Sequence, residues 1–434
     1  MINARYVREH FDEIKASLAK RKSDFPLEEL LKLDEETRRI DTELQRLRAE
    51  RNKGSNGISE AKKAGRDADE SEIKKLAELK GRIEELEGRL PKTKDRLDYL
   101  LFNMPNTLHE SVPYGKDDSE NVEIKRVGEG IARKLPSHDE ILTAMDMIDL
   151  SQAAKVAGAR FFYLKGDIAL LEQSLIRFAV DRLVKKGYIL IAPPLMLKKE
   201  YLRGAVPLGD FEEMLYMVSE SKEAMEKKGI EHMGDDLFMI GTAEHSIASL
   251  HAGQVFSAKE LPKRYVGWSP CFRREAGAHG KDTKGIFRVH QFYKVEQFIF
   301  ARQEDSWKLH EELLGNEEEL YKELGLPYRI VNICTGDIGT VAAKKYDLET
   351  YMPGQGRYSE MCSCSNCTDW QSMRLEIKYD EGNERKYVHT LNATAIATNR
   401  TIVAIVENYY NDDGTITVPE ALVPYMGKQR IGKK

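Results

Sequence analysis

CFRREAGAHGKDTKGIFRVHQF, residues 271–292, sets two β-prone runs around a loop that holds glycine and both charge signs but little to pack. Residues two apart on a strand face the same way, so Arg273 and Glu275 are expected on one face. Arg288, His290, Phe292, Lys294 and Glu296 are expected to share another. Joined as a hairpin, the two faces can coincide. They would then offer guanidinium groups to phosphate, carboxylates to an amine or hydroxyl, and an aromatic plane to a base. An isolated Arg-x-Glu on a hairpin is ordinarily a solvated charge pair, so the remainder of the chain has to decide.

At 434 residues, 41% of them apolar, the chain is too long for one ordinary core, and two domains are expected. Lys plus Arg (67) nearly balances Asp plus Glu (72), giving a net charge of −5. Any polyanion must therefore be met by local basic patches, and net charge neither supports nor excludes RNA. The opening MINARYVREHFDEIKASLAK alternates charged and apolar residues, and no later segment reaches the length of a membrane span. A cytoplasmic protein with no membrane partner is expected. Five cysteines, three of them clustered at Cys362, Cys364 and Cys367, do not resemble a secreted disulfide framework, so reduced thiols are the default.

Leu30, Leu33, Thr37, Ile40, Leu44 and Leu47 follow spacings of three and four with charges between them, which is a heptad. After the polar stretch Asn52–Glu70, the pattern resumes at Ile73, Leu76, Leu79, Ile83, Leu86, Leu90, Thr93, Leu97 and Leu100. Two similar helices joined by a flexible tip make an antiparallel hairpin that projects as an arm. Pro91, inside the second run, is expected to kink or break it. On its own the hairpin reads equally well as an oligomerising coiled coil.

Residues 102–120, with prolines, glycine and no period, read as a hinge, with the boundary near Pro105. From Leu171 onward helical stretches mix with β-rich runs (GYILIAPP, RYVGWSP, FYKVEQFIF, KYVHTL) without strict alternation. That favours an α+β fold with an antiparallel sheet flanked by helices. The expected organisation is an arm over 1–105, a linker and start of the body over 106–165, and a main domain over 166–434.

Residues 271–296 resemble motif 2 of the class II aminoacyl-tRNA synthetases, in the form found in seryl-tRNA synthetases. GTAEHSIASLH (241–251) is similar to that family's serine-binding Thr-x-Glu segment, residues 334–374 to its long signature, LNATAIATNRTIVAIVENYY (391–410) to its motif 3 and GYILIAPP to its motif 1. With the arm, the resemblance covers essentially the whole chain in the family's order.

The resemblance implies an ATP-dependent serine:tRNA ligase, a homodimer acting on L-serine and tRNA(Ser), and on tRNA(Sec) where that tRNA exists. It implies that Arg273 grips the α-phosphate of ATP, Glu275 meets the adenosine, Phe292 stacks on adenine and Val289 offers backbone groups to the base. Arg288 and Arg400 would hold the outer phosphates. Arg273, Glu275 and Arg400 would be the catalytic set, and Arg274, Met361 and Cys362 would complete the ATP site. Glu360 and Ser363 would hold a magnesium ion with the phosphates, a hard oxygen donor set. Thr242, Ala243, Glu244, Glu296, Asn392 and Thr394, with Arg273, would form the serine pocket. No general base is obviously required, because the serine carboxylate is already a nucleophile. The hairpin arm would reach the tRNA's long variable arm, reading RNA shape more than base sequence.

The spacing C-x-C-x2-C at Cys362, Cys364 and Cys367, with Cys334, could supply four sulfurs for zinc. No second C-x2-C or H-x3-H accompanies it, so buried thiols without structural zinc are expected, as in the family's ordinary branch. His279 is expected to meet tRNA or solvent, and His290 to pack or hydrogen-bond. Ala393, Ala395 and Asn399 stand where many bacterial forms carry glycine, a pattern closer to the archaeal or eukaryotic cytosolic one. Two rivals remain at this point. One is a non-charging paralogue that acts as an RNA-binding or regulatory protein, against which the intact arginines and glutamates speak. The other is a ligase loading a carrier protein, which should lack the long arm.

Overall fold

The computed structural model describes residues 4–63, 65, 69–207, 214–219, 237–275 and 284–432. The chain divides into two compact units, Met1–Pro105 and Asn106–Lys434.

In the first unit, α1 (Leu27–Lys63) and α2 (Glu70–Asn103) form the hairpin. Leu30, Thr37, Ile40, Leu44 and Leu47 are buried along α1, and Ile83, Leu86, Thr93, Leu97 and Leu100 along α2, which is most of the heptad seam read from the sequence, although Ile73 at the start of α2 is exposed. Arg96 pairs with Glu29, Arg89 with Glu36, Lys94 with Asp41 and Arg48 with Glu87. The pairs form two rows, Glu29–Arg96 with Glu36–Arg89 and Asp41–Lys94 with Arg48–Glu87, and within each row numbers fall along one helix as they rise along the other, which fixes an antiparallel register. Being exposed, they add little stability each.

Two expectations are corrected here. The tip is shorter than the polar stretch suggested, because α1 continues through Gly54 and Gly57 to Lys63. Gly54 lies against Leu76, where an added Cβ would meet the leucine at 3.0 Å, so the seam extends into the stretch read as loop. Nor does α2 break at Pro91. Pro91 is exposed, while Leu86 before it and Thr93 and Leu97 after it stay in the seam and hold the helix together across the missing backbone donor.

The second unit is built on an eight-stranded sheet. Its strands in chain order are β1 (Val122–Val127), β2 (Ile189–Ile191), β3 (Lys263–Phe272), β4 (Gln291–Ala301), β5 (Tyr328–Asn332), β6 (Lys344–Met352), β7 (Arg357–Asn366) and β8 (His389–Ala397). In space they run β1-β5-β6-β7-β8-β4-β3-β2. Every pairing is antiparallel except the edge pair of β2 with β3. The fold is thus α+β with helices against an antiparallel sheet. Helix α3 (Gly166–Lys185) buries Leu171, Leu175, Phe178, Ala179 and Leu183 in the main core. Helix α4 (Ala243–Ser249) follows the strand Leu237–Met239, and α6 (Thr398–Tyr409) follows directly on β8. Helix α5 (Ser306–Glu323) covers one face of β7. The Nε2 of His310 donates to the Cys364 carbonyl at 3.1 Å, and the Cys364 thiol donates back to the His310 carbonyl at 3.6 Å. The opposite face of β7, which carries Ser363 and Ser365, is the one that opens onto cavities. No described helix is long and apolar enough to cross a membrane.

Candidate active site

Two cavities open over the middle of the sheet, lined by the ends of β3 and β4, by β7 and β8, and by the first turns of α4 and α6. Arg273, Glu275, Arg288, Val289, Phe292, Glu360, Met361, Ser363 and Arg400 all line the first cavity, with Lys294 and Thr394 beside them. Arg273 lies with its guanidinium over the Phe292 ring, 5.5 Å from the centroid, and its Nε donates to the Gly241 carbonyl at 3.1 Å. Arg400 donates from Nη1 to the Glu360 carbonyl at 3.0 Å, and its guanidinium lies 5.3 Å from the Phe287 centroid. Four cations, Arg273, Arg288, Lys294 and Arg400, thus face one space, which suits a polyanion.

Glu360 and Ser363 stand three apart on a strand and would ordinarily point to opposite faces. A β-bulge brings them together. Ser363 pairs with Asp347 and Cys362 with Leu348, but Glu349 pairs with Glu360, leaving Met361 as an extra residue. Burial alone would raise the Glu360 pKa, but Arg400, Lys345 and Arg273 outweigh it and hold the carboxylate at about 2. Burial raises Asp347 to about 7, with Lys345, 3.1 Å away, opposing it.

The second cavity is lined by Gly241, Thr242, Glu244, His245, Asn392, Cys367 and Lys345, with Val206, Leu215 and Val341 as apolar wall. Thr242 caps α4, its Oγ1 accepting from the Glu244 amide at 3.2 Å and donating to Glu296 Oε2 at 3.3 Å. Glu244 Oε1 accepts from Gln371 Nε2 at 2.9 Å and Asn392 Nδ2 at 3.1 Å. Burial, and then the neighbouring Glu296, raise the Glu244 pKa to about 7. Burial lowers His245 to about 3, so the imidazole is neutral beside Arg273 and Lys294. Arg273 and Ser363 line both cavities and mark where the two meet.

A cationic cavity joined to a second one lined by carboxylate and amide groups suits a nucleotide beside an amino acid, and the comparisons with known proteins agree. The model of the seryl-tRNA synthetase N-terminal domain matches residues 1–108, and that of the class II tRNA synthetase core domain (G, H, P, S and T) matches residues 225–409. The serine–tRNA ligase of Methanoculleus marisnigri is 49% identical over 434 residues, 98% of this chain and 99% of the relative. That of Thermococcus sibiricus is 47% identical over 458 residues, covering 99% and 97%. The crystal structure of seryl-tRNA synthetase from Pyrococcus horikoshii complexed with ATP superposes with a TM-score of 0.89 at 44% identity, over 100% of both chains. The chain belongs to the seryl-tRNA synthetase family.

Within that family frame, several expected residues take other places. Arg274 is exposed and lines neither cavity, because it follows Arg273 on extended chain and points the other way. Cys362 is fully buried on the α5 face of β7, its thiol donating to the Ala395 carbonyl at 3.6 Å, so its side chain cannot reach ATP. Ala243 is buried in the core, where a Cβ on Gly267 would come within 3.3 Å of its methyl. Thr394 lines the first cavity rather than the second, its hydroxyl accepting from Lys294 Nζ at 3.3 Å. Glu296 lines neither cavity but is buried against Thr242 and ion-paired with Lys294.

The simple alternation read from the hairpin also stops short. β3 ends at Phe272 and β4 begins at Gln291, so Arg273, Glu275, Arg288 and His290 all lie beyond regular strand. Glu275 turns to φ +46° and still faces the cavity, 3.6 Å from Arg288 Nη1. His290 hydrogen-bonds, its Nδ1 lying 2.9 Å from the Arg273 carbonyl and 2.9 Å from the Tyr216 hydroxyl. His279 lies outside the described residues.

Sequence reading missed Gln371 and Lys345. Both sit inside the recognised 334–374 signature, which was the available signal. All five cysteines are buried free thiols, and burial raises the pKa of Cys362, Cys364 and Cys367 well above the usual thiol value. Among the described residues no three His, Cys, Asp or Glu side chains group as metal ligands.

Proposed function

We propose that the chain activates L-serine with ATP and transfers it to tRNA(Ser), and to tRNA(Sec) where that tRNA exists. The observation that carries this is Arg273, whose guanidinium is shared by the cationic cavity and the amide-lined one. A residue in that place can hold the α-phosphate of ATP against the carboxylate of serine, and bringing those two groups together is the main demand of the first step.

In that step a serine carboxylate oxygen forms a bond to the α-phosphorus, and the bond to the bridging oxygen breaks. The products are seryl-adenylate and pyrophosphate. Phe292 stacks on the adenine, Val289 meets the base through its backbone, and Glu275 meets the adenosine. Arg288 and Arg400 neutralise the outer phosphates as charge moves onto pyrophosphate, with Arg400 in the first turn of α6, where free amides also favour anions. Glu360, kept ionised by its three cationic neighbours, and Ser363 make an oxygen pair that fits Mg2+. When bound there, the ion would neutralise phosphate charge. In the second cavity the ionised Glu244 carboxylate accepts from the serine ammonium and hydroxyl, while Thr242 and Asn392 complete the set of polar groups. A site that pairs the hydroxyl rejects alanine, because its buried groups would be left without a partner. In the second step the terminal 3′-hydroxyl of tRNA attacks the seryl carbonyl carbon and AMP leaves.

The protein works in the cytoplasm as a homodimer. The reduced thiols support the first statement. Supporting the second, the edge strand β2 exposes Ile189 and Leu190, at 58% and 47%, beside Trp268 on β3, an apolar sheet edge suited to burial against a second copy. Serine-dependent exchange of pyrophosphate into ATP, followed by charging of a tRNA with a long variable arm, tests the reading. Absence of exchange would reject it, and exchange without charging would favour another acceptor.

A further inference from the structure

The nucleotide cavity owes Phe287, Arg288 and Val289 to a short run of turns before β4, not to regular structure. Two buried side chains from different elements hold that run. His138, first residue of the helix His138–Ala144, accepts the Ile286 amide hydrogen at Nε2, 3.2 Å away. Gly285 passes so close that a Cβ would fall 2.1 Å from the same nitrogen, and its φ of +66° also requires glycine. From the other side Asn399, in α6, donates from Nδ2 to the carbonyls of Ile286 and Phe287, both at 3.0 Å. Two carbonyl acceptors fix which way the amide faces, and Asn399 Oδ1 is consequently buried with no hydrogen-bond partner among the described residues. Burial lowers the His138 pKa, in keeping with a neutral ring whose Nε2 is an acceptor.

We propose that His138 and Asn399 are positioning residues for the nucleotide subsite. They clamp the Ile286–Phe287 backbone, so that Arg288 and Val289 meet ATP in a preset geometry. A loop held this way loses little conformational freedom when the nucleotide binds. The proposal rests on the assignment of the first cavity to ATP. It separates the two substrates, since neither clamp residue lines the serine cavity; Asn399 also lines the nucleotide cavity, whereas His138 lines neither, so the His138 variants isolate the clamp.

The test compares full-length wild type with H138A, H138Q, N399A and G285A. Direct binding of ATP with Mg2+ is measured by calorimetry, with KM for ATP and for serine in pyrophosphate exchange and Tm as a check on folding. H138A, N399A and G285A should each raise Kd and KM for ATP about tenfold and leave KM for serine within twofold. H138Q, whose amide oxygen can accept from Ile286, should recover most of the loss. ATP binding within twofold of wild type in folded H138A and N399A would overturn the clamp, as would an equal rise in both KM values. Should N399A fail to fold, the contrast between H138A and H138Q decides. Wild-type protein that binds no ATP would instead reject the cavity assignment.

Discussion

Arg273 is the side chain that touches both halves of the chemistry, so its loss should fall on the reaction and not on the fold. R273A should lower kcat/KM in serine-dependent exchange by about 100-fold or more, the scale set by removing one preorganised donor. R273K should recover little, because an ammonium cannot reproduce the planar fork or its stacking on Phe292. Exchange kinetics on the purified variants check both. Glu244 carries a pH signature. Its free-protein pKa of about 7 means that the carboxylate able to meet the serine ammonium forms only as pH rises through neutrality. The kcat/KM for serine should therefore climb between pH 6 and 8 and then level, whereas E244Q should show a low, flat profile. The sign for stability is opposite. A carboxyl that keeps its proton in the fold favours the native state fully below its unfolded value, near about 4.3, and that contribution is lost as pH rises to about 7. At pH 8, E244Q should melt no lower than wild type, since Gln can still accept from Gln371 and Asn392.

At the scale of elements, the bulge in β7 assigns roles that spacing alone misassigns. It puts Glu360 and Ser363 on the cavity side and leaves Cys362 against α5. C362A should thus change KM for ATP less than twofold while destabilising the protein by about 1 kcal/mol for one buried heavy atom removed. E360Q should raise KM for ATP and weaken its dependence on Mg2+. A large kinetic defect in C362A with E360Q silent would reverse the assignment. In the arm, Pro91 sits in a helix that runs on without its hydrogen bond, so P91A should stabilise α2 by roughly 1–3 kcal/mol. Slower hydrogen exchange of the amides flanking residue 91 in the full chain would show it. The heptads, the sheet class and the hairpin were legible because they are periodic or local. The bulge, the positive φ of Glu275 and the reach of α1 through Gly54 were not, because each is decided by a partner distant in sequence.

Across the molecule, the residues lining both cavities all come from the unit Asn106–Lys434, although they are scattered from Val206 to Arg400 along the chain. Sequence reading assembled most of them through family resemblance, and strand periodicity alone would have stopped at the motif 2 hairpin. His138 stayed invisible because it reaches the site through contacts distant in sequence, a hydrogen bond from Ile286 and the close approach of Gly285. Among the described residues the first unit contributes none to the lining, and its helices seal their seam against one another, with Arg48, Arg89 and Arg96 engaged by its own carboxylates. Such an element is not needed to make the adenylate, yet it offers a long polar surface for an RNA duplex. A chain beginning at Asn106 should keep serine-dependent pyrophosphate exchange within a few-fold of the full protein and lose charging of tRNA(Ser) by 100-fold or more. The residual charging should depend less steeply on salt if the arm is what meets the tRNA phosphates. Parallel exchange and charging assays on the two chains, at two salt concentrations, decide the matter. Equal losses in both reactions would mean that the helical unit supports the catalytic body and does not serve as its hold on RNA.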